Sequence, residues 1–131
     1  MRRFILDTDH ITLYREEHPV VRTRVAFVPK SQPAVTIVSF EEQVRGWLAL
    51  IRRAKNEART IWGYQRLRES LDYFTQVRVL DFDVGAASMF RQLRKQRIRI
   101  GTQDLRIAAI ALANDCIVVT RNQRDFERVP N

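Results

Sequence analysis

Three carboxylates that lie far apart in the sequence occupy positions from which they could meet in the folded chain. Asp7 directly follows the apolar run 4–6, and Glu42 and Asp104 fall in the first turns of two expected helices. In an open parallel sheet, the carboxyl ends of the strands lie along one edge, and ligands bind in the crevice there. We therefore expect these three side chains to converge at that edge.

A convergent acid cluster requires a positive partner, because two like charges about 4 Å apart repel by about 4 kcal/mol at an effective dielectric near 20. Mg²⁺ and Mn²⁺ prefer hard oxygen ligands and retain water molecules for a substrate. A zinc site would instead draw on cysteines and histidines, and this chain has one cysteine and two histidines, with no HExxH or paired-cysteine spacing. The pattern predicts a magnesium or manganese site.

Each of these carboxylates also has a purely structural explanation. Asp7 could cap the first helix. Glu42 lies three residues after Ser39 in a capping-box sequence and could reach back to the Ser39 amide. Asp104 could be a first-turn acid that the helix dipole favours. This alternative is the weakest of the three, because Asp104 introduces an unusually apolar helix against which an unpaired carboxylate would be costly.

The elements that must position these residues alternate between strands and helices. Strands are predicted at 2–6, 34–37, 77–80 and 116–119. Helices are predicted within 10–28, from Ser39 onward with a break near Asn56, after a cap at Asp83, and from Gln103 to about Ala113. The last helix is apolar on nearly every face and should be central and buried. The fold class expected is α/β, with a mostly parallel sheet covered on both sides.

Composition bounds the remaining possibilities. A chain of 131 residues with 45% hydrophobic content matches one globular domain, residues 1–131. The net charge is +8, and every basic residue except Lys30, Lys55 and Lys95 is arginine, which favours a phosphate-bearing partner, although the charge could also serve solubility. Cys116 is expected to be a buried strand thiol. No leader or membrane-spanning run is recognised, so a cytoplasmic location is the default expectation.

Four short segments, in this order and spacing, resemble PIN-domain ribonucleases of the VapC type, the toxin half of bacterial toxin–antitoxin pairs. The segments are Ile5-Leu6-Asp7-Thr8, Glu42-Gln43-Val44-Arg45-Gly46, the run GTQDLRIAA at 101–109, and the run VTRNQRDF at 119–126. The resemblance covers essentially the whole chain. It implies a three-layer α/β/α fold, a homodimer, and Mg²⁺- or Mn²⁺-dependent endoribonuclease activity.

The resemblance also assigns roles to individual residues. Asp7, Glu42 and Asp104 fall on three acidic positions of the family, and the fourth position is occupied either by Asn122 directly or by Asp125 three residues later. The implied mechanism is in-line attack of a metal-activated water on an RNA phosphodiester. Beyond the resemblance, the hydroxyls of Thr8 and Thr120 are expected to orient carboxylates or waters, although each could equally be a capping or turn hydroxyl. The alternative for the next group is that its members are solvated basic loop residues. The basic side chains expected to hold the RNA backbone are those of Arg97, Arg99, Arg121, Arg124 and Arg128.

The family further implies a cognate antitoxin that blocks the acidic crevice. Two alternatives stay open at this point. One is a non-catalytic RNA- or protein-binding module that keeps the PIN fold, and the other is a structure-specific DNA nuclease with the same acid cluster.

Overall fold

The computed structural model describes residues 3–6 and 33–119. Within these ranges, the strands and helices follow one another in the order that the sequence predicts. In chain order, the elements are β1 Arg3–Leu6, β2 Val35–Thr36, α1 Ile37–Arg53, α2 Glu57–Gln76, β3 Val79–Leu80, α3 Val84–Lys95, α4 Thr102–Ala113 and β4 Cys116–Val119. The helices predicted within 10–28 lie outside the described residues. No helix in the described ranges is both long and apolar enough to cross a membrane.

The described strands run parallel to one another. β1 pairs with β4, and β2 pairs with β3. A parallel bridge between Ile5 and Ala34 joins the two pairs, and the Leu6 amide donates to the Ala34 carbonyl at 3.0 Å. The spatial order is therefore β4-β1-β2-β3, which places β1 inside the sheet and confirms the predicted parallel arrangement.

Both faces of this sheet are covered by helices. Ile5 and Leu6 are neighbours in β1 and are both fully buried, yet they belong to different core clusters. Ile5 packs with residues of α4, whereas Leu6 packs with Phe74 of α2. Since successive side chains of a strand point to opposite faces, the helices form two layers with the sheet between them.

Helix α4 is the central helix of the described core. One group of its side chains packs toward the sheet, and another packs against Leu93 of α3. Its buried residues are Leu105, Ile107, Ala108, Ala109, Ile110 and Ala111. The sequence prediction for this helix is confirmed.

The start of α1 differs from the prediction. The helix begins at Ile37 rather than at Ser39, and Thr36 is its N-cap, whose Oγ1 accepts a hydrogen bond from the Ser39 amide at 3.1 Å. Thr36 is the last residue of β2, so the chain passes from strand to helix without an intervening loop. The predicted cap at Asp83 is confirmed, because its Oδ1 accepts from the Ala86 amide at 2.9 Å.

Cys116 is half-buried rather than buried, which corrects the prediction of a buried thiol. It begins β4, which pairs with β1 on one side and is the outermost strand of the described sheet. The neighbouring Ile117 is 37% exposed. The apolar run predicted a buried strand, but its position in the sheet leaves part of it accessible.

Helices α1 and α2 form an antiparallel hairpin that packs closely. The Trp47 indole N–H donates to Ser70 Oγ at 2.8 Å, and the Phe40 and Phe74 rings meet edge to face at 5.1 Å. Gly63 permits the close approach near the tip of the hairpin, because a Cβ there would lie 2.7 Å from Ile51 Cγ1.

We expect Gly63→Ala to destabilise the fold by about 1–3 kcal/mol. The added methyl group clashes with Ile51 across the α1–α2 contact, and the cost of this clash exceeds the stability gained from the higher helix propensity of alanine. Gly46→Ala is the matched control. Its Cβ would meet nothing within 4 Å in the middle of α1, so it should stabilise by about 0.5–1 kcal/mol. Urea unfolding of both variants measures the two effects, and a Gly63→Ala protein as stable as Gly46→Ala would contradict this packing.

Candidate active site

Of the predicted site residues, the described part of the chain contains two carboxylates and two arginines. Glu42 and Asp104 are both half-buried, while Arg97 and Arg99 are exposed in the segment between α3 and α4. The other predicted residues lie outside the described residues; they are Asp7, Thr8, Thr120, Arg121, Asn122, Arg124, Asp125 and Arg128.

The structural explanation for Glu42 does not hold. A capping box would need Ser39 as the N-cap and the Ser39 amide as the partner of Glu42. Ser39 instead lies inside α1, and its amide donates to Thr36 Oγ1. Glu42 therefore lies in the second turn of α1, beyond the capping residues, and is not the acid of a box.

Asp104 lies in the first turn of α4, as predicted. The N-cap, Gly101, offers no side-chain hydrogen bond to this turn. A helix N-terminus attracts negative charge through its unpaired amides. The position therefore suits both explanations given for Asp104, a first-turn acid and a site carboxylate.

A hydrogen bond connects the two helices that carry these carboxylates. Gln103 Nε2 donates to Glu41 Oε1 at 2.8 Å, and Arg106 Nη1 donates to Gln103 Oε1 at 2.7 Å. The bond shows that the beginnings of α1 and α4 lie side by side. Glu42 and Asp104 are each the direct sequence neighbour of one of its partners.

No motif in the sequence predicts this contact between Glu41 and Gln103. The two residues are 62 positions apart, so their spacing in the sequence gives no indication that they are in contact. Only the packing of α4 beside α1 brings them together.

The donor chemistry of the described pair suits a hard divalent ion. Glu42 and Asp104 both offer carboxylate oxygens, the ligands that Mg²⁺ and Mn²⁺ prefer. Within residues 3–6 and 33–119, no group of three His, Cys, Asp or Glu side chains lies close enough to hold a metal. Any complete site at this position would thus include residues from segments that the structure does not describe.

The register of the sheet shows from which edge the segments after β1 and β4 continue. β1 and β4 end at the same level, because Leu6 pairs with Val119. Asp7 follows Leu6 directly, and Thr120 follows Val119. α1 begins at the corresponding end of β2, immediately after Thr36. The carboxyl ends of these strands thus share one edge, which is also where α1 starts.

A comparison with known families agrees with this architecture. The family model described as PIN domain matches residues 5–131 of this chain. The chain belongs to the PIN domain family. This finding confirms the predicted fold class, a three-layer α/β/α arrangement around parallel strands.

Among curated proteins, this PIN domain is similar to VapC relatives. It is 39% identical over 62 residues to the tRNA(fMet)-specific endonuclease VapC of Salmonella typhimurium, a match covering 44% of this chain and 47% of the relative. It is 32% identical over 69 residues to Ribonuclease VapC2 of Rickettsia felis, covering 49% and 52% respectively. These matches span about half the length of the curated relatives.

Solved structures resemble the whole PIN domain. A DNA-bound VapBC complex from Salmonella typhimurium contains a chain that superposes with a TM-score of 0.76 at 27% identity, covering 99% of this chain and 94% of that one. A VapBC2 complex from Rickettsia felis, bound to a promoter DNA fragment, gives a TM-score of 0.73 at 23% identity, covering 97% and 92%. The resemblance to VapC proteins inferred from the four sequence segments is confirmed.

The bridge between α1 and α4 can be measured by a double-mutant cycle. We expect Glu41→Ala and Gln103→Ala to show a coupling energy of about 0.5 kcal/mol, since an exposed charge-assisted hydrogen bond contributes modestly to stability. Glu41→Ala combined with Arg59→Ala, at the other end of the hairpin, should be additive. The free energies of unfolding in urea give both values, and additivity of the first pair would show that the bond does not join the helices in solution.

Proposed function

We propose that this PIN domain is a divalent-metal-dependent endoribonuclease and the toxin of a VapBC-type toxin–antitoxin pair. The observation that carries the proposal is the Gln103–Glu41 hydrogen bond, which keeps the helix starts next to Glu42 and Asp104 together at one end of the molecule. In a PIN domain whose curated relatives are named as an endonuclease and a ribonuclease, two adjacent acid-bearing turns are best explained by nuclease chemistry.

The proposed metal ligands are Asp7, Glu42 and Asp104, completed by Asn122 or Asp125. The register of β1 and β4 supports this set, because the segments containing Asp7 and Asn122 both continue from the strand ends at the edge where α1 begins. Carboxylates gathered there would repel one another without a cation. The cofactor proposed is Mg²⁺ or Mn²⁺.

A bound Mg²⁺ or Mn²⁺ would supply an activated water and neutralise charge on the scissile phosphate. In this proposal, Glu42 and Asp104 would provide carboxylate oxygens to hold the ion, and the hydroxyls of Thr8 and Thr120 would orient carboxylates or waters. Arg97, Arg99, Arg121, Arg124 and Arg128 bind the RNA backbone. No covalent nucleophile of the protein takes part.

The partners proposed are an RNA substrate, a cognate antitoxin and a second copy of this chain. The solved structures that resemble this PIN domain are named as VapBC complexes, which supports a partner that binds the toxin. The family match over 5–131 supports treating residues 1–131 as a single domain. With RNA as the substrate, the proposed location is the cytoplasm.

We expect RNA cleavage to require added Mg²⁺ or Mn²⁺ and to stop in EDTA. Asp104→Asn, Glu42→Gln and Asp7→Asn should each lower the cleavage rate at least about 100-fold, because each removes a charged ligand from the reacting site. Asp81→Asn, which changes an exposed carboxylate between β3 and α3, is the matched control and should cleave at the wild-type rate.

Cleavage of labelled RNA, with circular dichroism to confirm folding, measures these effects. Unchanged cleavage in both Asp104→Asn and Glu42→Gln would refute the site. RNA binding without cleavage in any metal would identify a non-catalytic module. Cleavage of flap DNA in preference to RNA would identify a structure-specific DNA nuclease.

The fourth ligand has a test of its own. We expect one of Asn122→Ala and Asp125→Ala to weaken the apparent affinity for Mg²⁺ by about 10–100-fold in a cleavage titration, and the other to change it little. The affected variant identifies the ligand. If neither titration shifts, the segment 120–126 contributes no metal ligand.

A further inference from the structure

The connection between α1 and α2 forms a basic pocket at the opposite end of α1 from the candidate active site. The pocket has a volume of about 360 Å³ and is lined by Leu50, Arg53, Ala54, Lys55, Asn56 and Arg59. Three of these six side chains are cationic, and none is a carboxylate. We name this feature the elbow pocket.

The cations of the elbow pocket are available to a ligand. Arg53, Lys55 and Arg59 are exposed, and among the described residues no ion pair joins any of them to a carboxylate. Other arginines of the same hairpin do form such pairs, as Arg66 does with Glu69 at 2.9 Å. Three like charges that line one pocket repel one another, so an anion in the pocket would relieve that repulsion.

The elbow pocket already has ordered walls. Asn56 is the N-cap of α2, and its Oδ1 accepts from the Arg59 amide at 2.8 Å. The Arg59 guanidinium lies over the Trp62 ring at 4.6 Å from the centroid. A guanidinium held against an indole loses less conformational freedom when it binds a phosphate, and its planar fork matches phosphate oxygens in pairs.

The pocket and the candidate active site lie on the same side of α1. Arg53 follows Glu42 by eleven residues, which is about three full helical turns and a distance of about 16 Å along the axis. Between them, Gly46 and Ala49 lie on the line that joins the two positions, and the exposed Arg45 lies beside that line. An added Cβ at Gly46 would meet nothing within 4 Å. A nucleic acid strand laid along this line would therefore pass over small residues, with a cationic side chain next to it.

We infer that the elbow pocket binds a backbone phosphate of the RNA substrate, several nucleotides away from the bond that is cut. A separation of about 16 Å is spanned by at most about five nucleotides, since the stacked rise is ~3.4 Å per nucleotide of one strand and an extended strand needs fewer. The arginine content and the line to Glu42 favour nucleic acid over an acidic peptide, since only a substrate that reaches the acid cluster would use both. This inference rests on the proposed ribonuclease function.

The test compares RNA binding by two charge-matched variants of the full chain. Arg53→Gln/Lys55→Gln removes two charges from the elbow pocket, and Arg91→Gln/Lys95→Gln removes an arginine and a lysine from exposed positions of α3. The probe is a fluorescein-labelled oligouridylate of about 12 nucleotides, measured by anisotropy in EDTA so that cleavage cannot interfere. Thermal unfolding checks that both variants are folded.

We expect the pocket variant to bind the oligouridylate about tenfold more weakly than wild type. The slope of log K against log salt should fall by about 0.7, because one lost phosphate contact on a single strand contributes about 0.7. The α3 variant should change affinity by less than about twofold, and Arg53→Lys, which keeps the charge, should retain the wild-type slope.

Equal losses in the two double variants would overturn the inference, because they would reflect net charge alone. Unchanged oligouridylate binding in the pocket variant would also overturn it. If a polyglutamate peptide then bound to wild type but not to the pocket variant, the occupant of the pocket would be an acidic peptide instead of RNA. The result stays distinct from the proposed function. A wild-type protein that cleaves no RNA would refute the ribonuclease, while the binding measurements in EDTA would still decide the pocket.

Discussion

The parallel pairing of β1 between β2 and β4 is the constraint on which the rest of the described structure depends. Ile5 and Leu6 are both fully buried, one against α4 and the other against α2, so this strand requires a helical layer on each face. A strand buried on both sides cannot shift its register without moving apolar side chains to the wrong layer. Packing therefore fixes the level at which β1 and β4 end. It also fixes the edge of the sheet from which the segments after Leu6 and Val119 continue.

The positions of the helices depend on this sheet. Thr36 ends β2 and caps α1 in a single residue, so the direction of α1 is set where the strand stops. α4 is buried on several faces and lies beside α1. The exposed Gln103–Glu41 bond adds little stability by itself. Its importance is geometric, because it marks where two packed helices bring their first turns together.

The charge of the chain is distributed in a way that matches the proposed chemistry. In the proposed site, Asp7 follows β1 and Glu42 lies near the start of α1. The far end of α1 instead carries a group of basic residues that form no ion pair within the described part of the chain. Under the proposed function, a polyanionic substrate would be repelled by the carboxylates unless a cation were present, and it would be attracted by the basic residues whatever its sequence. The proposal thus assigns RNA cleavage to one end of α1 and RNA binding to the other.

The sequence by itself determined the order of elements, the parallel sheet, the central position of α4 and the family. These properties follow from local patterns, because apolar periodicity, capping residues and short family-like segments such as GTQDLRIAA involve residues that are consecutive or close in the sequence. Only the tertiary structure decided that Thr36 rather than Ser39 starts α1, that Cys116 is half-exposed, that Glu41 meets Gln103, and that Arg53, Lys55 and Arg59 line one pocket. The contact between Glu41 and Gln103 joins residues that are 62 positions apart, which leaves no spacing to detect. The other outcomes depend on where the strand pairing ends and on how the helices pack against each other.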